Sequence, residues 1–328
     1  MSVGLLAWAL HDVQFADVIT HVKRADLALL AATVVLATLT FPIRALRWRA
    51  LLRDPAGRPL PLAALWDAVA IGFMANNLLP ARAGEFARAW VASRNTPVRF
   101  TTALGSIGVE RVFDGLTMLG LMAVAIAAPS FPRDAMIGGV SLVHIATVGA
   151  IVFGAALVLA VIVVVNPAPW LRLLDVIAHR LLPQRFAATV RSAIEGLVDG
   201  LAALRSPSRF AGVVAWSIVL WLVNAASFAI CFRAFNLPVP LEGALLLQGI
   251  IGFGVAVPSS PGYVGVFEVA TRVTLGIYAI DPGRALSYAL TYHLTTFLPI
   301  IGLGLWSLSR SRLHLAELRR PQSAPEPA

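Results

Sequence analysis

The sequence has few charged residues and one cysteine. Asp, Glu, Lys and Arg make up 13% of its 328 residues, and hydrophobic residues make up 58%. Soluble domains contain about 25% charged residues, and a soluble fold would have to bury several apolar runs of more than about 18 residues. The scarcity of charge therefore excludes an ordinary soluble domain and predicts a polytopic membrane protein.

Other absences narrow the function. Because Cys231 stands alone, an intramolecular disulfide and a cysteine-based metal site are excluded. The chain lacks a Gly-x-Ser-x-Gly elbow, a P-loop and a His-Glu-x-x-His motif, so we expect no enzymatic activity, no cofactor and no metal. The net charge of +9 comes from basic residues scattered around the apolar runs, which disfavours nucleic-acid binding and fits loops beside anionic lipid.

Two segments put helix breakers and charges inside otherwise apolar sequence. Residues 76–85 read Asn-Asn-Leu-Leu-Pro-Ala-Arg-Ala-Gly-Glu, and residues 258–268 read Pro-Ser-Ser-Pro-Gly-Tyr-Val-Gly-Val-Phe-Glu. Broken backbone at membrane depth must be buried in protein or line a wet cavity. Interrupted segments in corresponding positions of two halves indicate the binding site of a transporter.

The predicted fold is an all-α, polytopic helical bundle with two inverted repeats, each containing a broken re-entrant hairpin. Basic clusters at 44–58, 172–209 and 310–320 are assigned to the cytoplasmic side, with Trp48 as an interface anchor. Both hairpins must then return to the side from which they entered. The predicted segments are a partial or interfacial N-terminal helix (1–25), a first repeat (26–127, hairpin at about 61–95), a linking span (128–165), a cytoplasmic amphipathic linker (166–207), a second repeat (208–309, hairpin at about 241–280) and a cytoplasmic tail (310–328).

One predicted span carries Glu110, Arg111 and Asp114. A charge at the centre of a membrane helix costs about 2.5–3.5 kcal/mol on insertion scales, so these residues are candidates for substrate binding. Glu110 and Asp114 are four apart and share a face, with Arg111 three residues before Asp114. The alternative is a buried salt-bridge network that locks this helix to the first hairpin.

The first interrupted segment has the features of an anion site. Gly84 is predicted to open a helix whose first turns hold Glu85 and Arg88, with Arg82 just before it. Free backbone N–H groups and the helix dipole favour an anion there, and arginine suits phosphate. Glu85 could equally be a first-turn acid that stabilises the helix, and Asn76–Asn77 could satisfy freed carbonyls or contact substrate.

The second interrupted segment offers small residues and one acid. Ser260 and Gly262 allow close approach to backbone, and Glu268 lies in the first turns of the restarting helix. His293, on the last predicted span, is expected to face this segment. Such a histidine is either a hydrogen-bonded core residue or a proton carrier.

Together these motifs resemble the lysylphosphatidylglycerol synthase transmembrane-region family, also called flippase-like or uncharacterised protein family 0104. The matching elements, in order over residues 5–310, are Arg44-x-x-Arg47-Trp48, Asn77-x-x-Pro80-x-Arg82-x-Gly84-Glu85-x-x-Arg88, Glu110-Arg111-x-x-Asp114 and Pro258-x-Ser260-Pro261-Gly262-x-x-Gly265-x-x-Glu268. The resemblance implies a plasma-membrane protein that translocates lipid. In bifunctional members this region flips an aminoacylated phospholipid made by a fused aminoacyltransferase domain, which we expect to be missing here, and another branch of the family is associated with hopanoids.

We therefore expect a flippase-like protein that moves an anionic or aminoacylated phospholipid, or a hopanoid, between leaflets of the plasma membrane, with its C-terminus in the cytoplasm. The alternatives are a non-transporting accessory subunit of a lipid-modifying enzyme and a membrane-embedded transferase with Glu110 or Asp114 as base. The expected substrate-binding residues are Asn77, Arg82, Glu85, Arg88, Glu110, Arg111, Asp114, Ser260, Gly262, Glu268 and His293.

Overall fold

A computed structural model of the chain describes residues 6, 8–11, 15–79, 82–132, 136–137, 139–166, 169, 206–256 and 260–311. Most of these residues are helical, and among them the strands are two dipeptides that pair antiparallel, Met136–Ile137 and Val140–Ser141. The predicted all-α architecture is confirmed. The amphipathic linker predicted at 166–207 and the tail at 310–328 fall almost entirely outside the described residues.

Ten described α-helices build the protein. They are α1 (Phe15–Lys23), α2 (Leu27–Leu51), α3 (Leu62–Leu78), α4 (Ala83–Asn95), α5 (Phe100–Ala127), α6 (Leu142–Val165), α7 (Pro207–Ala234), α8 (Leu241–Ala256), α9 (Val266–Ile277) and α10 (Pro282–Arg310).

Among the described residues, α2, α7 and α10 are long and apolar enough to cross a membrane. Two of them begin at an aspartate cap: Asp26 accepts hydrogen bonds from the amides of Ala28 and Leu29, and Asp281 caps α10 in the same way. The helix α2 continues to Leu51 and so includes the first part of the basic cluster at 44–58.

The first interrupted segment folds into a tight helical hairpin. Gly84 of α4 lies against Gly72 and Asn76 of α3, and Gly72 lies against Arg88, so the two helices run antiparallel. A Cβ atom at Gly84 would be 2.5 Å from the Asn76 backbone nitrogen and would collide with the Gly72 carbonyl oxygen. Only glycine allows this backbone approach.

We expect Gly84→Ala to lower the free energy of unfolding by about 1–3 kcal/mol, because overpacking forces the backbones of α3 and α4 apart. Gly108→Ala is the matched control, since a Cβ at that helical position meets nothing within 4 Å. Unfolding of both variants in detergent would be followed by circular dichroism. Equal stability of the two would contradict the close approach.

The second interrupted segment separates α8 from α9 and contains a short 3₁₀ turn, Pro261–Tyr263. Gly262 (φ 65°) and Gly265 (φ 87°) adopt left-handed backbone there. A Cβ on Gly262 would lie 3.5 Å from the carbonyl oxygen of Asn77, at the end of α3. The two interruptions therefore meet in space although they are far apart in sequence.

The packing of the first half recurs in the second. In each half the long first helix contacts the first helix of the hairpin (α2 with α3, α7 with α8), and the second helix of the hairpin contacts the last helix (α4 with α5, α9 with α10). The two halves also contact each other: α10 packs on α3, α5 packs on α8, and α2 packs along α7. Each hairpin is thus held by the last helix of the opposite half.

The packing forms two hydrophobic cores, each with residues from both halves. One is built mainly from α7 to α10, with Phe228, Phe232 and Tyr288 among its buried residues, and is completed by the end of α5. The other is built mainly from α2 to α5, with Trp48 and Met74, and is completed by the start of α7 and the end of α10.

Candidate functional site

Two carboxylates of α5 are buried and paired with arginines from two other helices. Arg88 of α4 binds Glu110 with both terminal nitrogens, at 2.5 and 3.2 Å. Arg47 of α2 binds Asp114 at 2.5 Å and lies 3.5 Å from Glu110. These side chains are at most 4% exposed, so the network ties α2, α4 and α5 together.

Asp114 is the most heavily shared acceptor of this network. It accepts the indole N–H of Trp221 of α7 at 2.8 Å and pairs with Arg111 at 3.0 Å. Arg47 in turn donates to the Ser217 hydroxyl at 3.1 Å. Trp221 and Ser217 both lie on α7. Asp114, through Trp221, and Arg47, through Ser217, therefore link the two halves of the chain.

The prediction that Trp48 anchors the chain at the membrane interface was wrong. Arg47 and Trp48 are fully buried, and Arg44 is 8% exposed. Trp48 donates to Ser106 at 2.9 Å and stacks beneath the Arg88 guanidinium, 3.8 Å from its ring centroid. Their spacing of three and four puts them on one face of α2, where Glu110 and Asp114 of α5 compensate the charge of Arg47.

The start of α4 is only partly available to a ligand. Asn76 accepts the N–H of Gly84 at 2.9 Å, so its side-chain oxygen satisfies a donor of the restarting helix. Arg82 occupies the left-handed region (φ 56°) immediately before the helix. Glu85 lies 3.7 Å from Arg82 and 3.8 Å from Arg111, which are long, partly exposed ion pairs.

In the second half, Glu268 and His293 form one hydrogen-bonded unit with the 3₁₀ turn. Glu268 is nearly buried, accepts the N–H of Gly265 at 2.6 Å and lies 2.6 Å from His293 Nδ1. His293 Nε2 lies 2.8 Å from the carbonyl of Gly262. A backbone carbonyl can only accept, so Nε2 carries hydrogen, and a further proton must lie between Nδ1 and the carboxyl group. The Glu268–His293 pair therefore shares one labile proton and is neutral overall.

A cavity of about 250 Å³ lies where the two interruptions meet. Its walls come from both halves: the first half contributes the charged residues Arg44, Arg82, Glu85 and Arg111, and the second half contributes His293. The remaining surface is largely apolar and aromatic, from Phe41, Phe73, Phe228, Phe267 and Phe297. The arrangement can hold a small anionic group beside an apolar one.

The structure brings most predicted site residues together. Those that line the cavity are Asn77, Arg82, Glu85, Arg88, Arg111, Gly262 and His293. Glu110, Asp114 and Glu268 are buried behind this lining and pair with it or with its neighbours. Ser260 does not line the cavity, and its hydroxyl donates to the carbonyl of Val264 within the turn.

Sequence reasoning missed Arg44 and Trp221 as site residues. Arg44 was counted with a basic cluster, and Trp221 stands in an apolar run that gives no polar signal. The i, i+3, i+4 spacing of Arg44, Arg47 and Trp48 was the available clue, since a helix end that faces headgroups has no need to keep its cations on one face. Among the described residues, no group of three or more His, Cys, Asp or Glu side chains is placed to hold a metal ion.

Comparison with known proteins places the chain in a family. It is 29% identical over 316 residues to glycosyltransferase AglD of Haloferax volcanii, a match that covers 89% of this chain and 50% of that protein. It is 22% identical over 229 residues to a UPF0104 membrane protein of Methanocaldococcus jannaschii, covering 70% of this chain and 90% of that protein. The chain thus spans half the length of the Haloferax relative. Residues 1–304 match the lysylphosphatidylglycerol synthase TM region, and the chain belongs to that family of membrane proteins.

Proposed function

We propose that the protein translocates a lipid between the leaflets of the plasma membrane, with the lipid headgroup in the central cavity and the acyl tails in the bilayer. The observation that carries this proposal is the position of the cavity at the meeting point of the two helix interruptions. In secondary transporters, interrupted helices in corresponding positions form the substrate site.

The repeated packing supports an inverted arrangement of the two halves. Since α10 packs on the first hairpin and α5 on the second, a rocking movement of one half against the other would open the cavity to opposite sides in turn. We infer that α3–α4 and α8–α9 are re-entrant hairpins of opposite orientation, because α3 has 17 residues and α8 has 16, short of the ~20 that a perpendicular span needs. With the basic residues at 310–320 on the cytoplasmic side, the C-terminus is cytoplasmic.

The cavity chemistry favours a polar lipid with an anionic headgroup. Arginines line it, and its aromatic wall can take the glycerol or the first methylenes of a lipid. An aminoacylated phospholipid fits as well, because Glu85 lies beside the arginines and can meet a cationic headgroup. A hopanoid remains a third cargo class, to be tested alongside these.

The direct test is lipid translocation by the purified protein in vesicles. We expect fluorescent phosphatidylglycerol to change leaflets faster than in protein-free vesicles, and Arg82→Ala to slow it by about tenfold through loss of a charged headgroup contact. Arg58→Ala is the matched control, since its side chain is 77% exposed and pairs with Asp54 outside the cavity. Equal rates for wild type and Arg82→Ala would remove Arg82 from the site, and no acceleration by wild type would reject the function.

The match to half of glycosyltransferase AglD favours one second candidate: a membrane subunit that binds a lipid-modifying enzyme and moves nothing itself. Such a subunit would leave vesicle lipid where it is but would bring a soluble transferase to the membrane. The vesicle measurement therefore separates the two candidates.

A further inference from the structure

Arg44 is a buried cation without a carboxylate partner. Its side chain lines the cavity from α2, is 8% exposed and lies near two aromatic rings, with the guanidinium carbon 4.7 Å from the Phe73 centroid and 5.5 Å from that of Trp221. Within the part of the chain that the structure describes, no Asp or Glu oxygen comes within 4.0 Å of it and no hydrogen bond to its guanidinium forms. A buried cation of this kind is costly unless something compensates it.

The surrounding network does not supply the missing charge. Its members are five arginines (Arg44, Arg47, Arg82, Arg88 and Arg111) and three acids (Glu85, Glu110 and Asp114). Two positive charges are therefore in excess, and the neutral Glu268–His293 pair does not change this balance. The excess lies on the cavity side, because Arg47, Arg88 and Arg111 face Glu110 and Asp114 while Arg44 faces the cavity.

Further arginine donors lie around the same space. The Nε–H groups of Arg82, Arg88 and Arg111 are buried and form no hydrogen bond among the described residues, although those of Arg82 and Arg111 lie 3.7 and 3.8 Å from a Glu85 oxygen. All three residues line the cavity. Buried donors of this kind normally have acceptors. An oxyanion beside Arg44 would supply acceptor oxygens and negative charge together.

We propose that Arg44 binds a phosphoryl group, the phosphate of a lipid headgroup, in this cavity. The guanidinium presents a planar pair of N–H donors that matches two phosphate oxygens, and the rings of Phe73 and Trp221 hold its plane without competing for those donors. The inference deepens the proposed function, on which it rests, by assigning the headgroup chemistry to one residue. Arg88 and Arg111, whose terminal nitrogens bind Glu110 and Asp114, position the site and do not carry the main contact.

Binding is measured with the full chain purified in detergent, by calorimetric titration with three probes. Dihexanoyl-phosphatidylglycerol carries phosphate and short tails, inorganic phosphate carries the anion alone, and dihexanoylglycerol carries the tails alone. We expect the phospholipid to bind, inorganic phosphate to bind about tenfold more weakly and dihexanoylglycerol not to saturate. Phosphate binding as tight as phospholipid binding would keep the phosphoryl site and assign it to a free phosphate.

Arg44→Gln should weaken phospholipid binding by about tenfold or more, through loss of a charge-assisted contact. Arg58→Gln, at an exposed site, is the matched control and should bind as wild type does. If Arg44→Gln is not recovered as a monodisperse protein, Arg44→Lys serves instead, and we expect about threefold or more weaker binding because lysine keeps the charge without the planar fork.

Wild-type affinity in the folded Arg44→Gln or Arg44→Lys variant would overturn the assignment, as would dihexanoylglycerol binding as tightly as the phospholipid. These results are distinguishable from failure of the proposed function. Arg44-dependent binding without movement in vesicles would reject translocation and leave the phosphoryl site. If Arg44→Gln binds phospholipid with wild-type affinity and translocates it at the wild-type rate, the phosphoryl site is rejected and the proposed translocation stands.

Discussion

Glu110→Ala is expected to lower the free energy of unfolding by about 3–5 kcal/mol, because it leaves the buried guanidinium of Arg88 without its carboxylate. Arg88 has both terminal nitrogens on Glu110 and is 3% exposed, so water cannot replace the lost partner. The measurement is equilibrium unfolding of the purified protein in mixed micelles, followed by circular dichroism.

Glu85→Ala is the matched control for this prediction. Glu85 also faces arginines, but at 3.7 and 3.8 Å and with 23% of its side chain exposed, so its loss should cost less than about 1 kcal/mol. The double substitution Arg88→Met with Glu110→Leu should recover most of the stability, since apolar replacement of a buried pair is often neutral. A double variant as unstable as Glu110→Ala would show that packing, and not the orphaned charge, sets the cost.

The charge network shows what sequence could and could not predict. Glu110, Arg111 and Asp114 were expected either to bind substrate or to lock α5 to the first hairpin, and the contacts of Glu110 with Arg88 correspond to the second expectation. The partner from α2 was not foreseen. Arg47 reaches Asp114 because α2 continues as a helix to Leu51, seven residues beyond Arg44. A hydropathy profile ends a span where charged residues begin, because it does not register the buried carboxylates that pair with them.

The helix interruptions were predictable for a different reason. Proline, glycine and paired asparagines in apolar sequence break a helix wherever it lies, and α3 and α4 end and begin within a few residues of the predicted break. The contact between Asn77 and Gly262 was not predictable, because it joins backbone atoms 185 residues apart in the chain and leaves no local pattern. The local sequence therefore predicted the helix interruptions that line the cavity, whereas the packing of the two halves determines where the cavity lies.

The Glu268–His293 pair lies in a different electrostatic setting from the arginine network. Charged groups that share its cavity are Arg44, Arg82, Arg88, Arg111 and Glu85. On its own helices, Arg272 of α9 donates to the carbonyls of Trp8 and Ala9, and Tyr292 of α10 bonds Ser227. With its shared proton the pair is neutral, and its hydrogen bonds fix the 3₁₀ turn that contributes Gly262 to the cavity lining.

Glu268→Gln is expected to slow translocation of fluorescent phosphatidylglycerol by about 10- to 100-fold. Glutamine fills the same volume but cannot share a proton with His293, and the charge-assisted bonds of Glu268 to Gly265 and His293 are lost. Glu242→Gln, at the start of α8 and outside the cavity lining, is the control and should keep the wild-type rate. A wild-type rate in Glu268→Gln would show that translocation does not depend on the shared proton. The pair would then be a structural clamp that holds the 3₁₀ turn against α10.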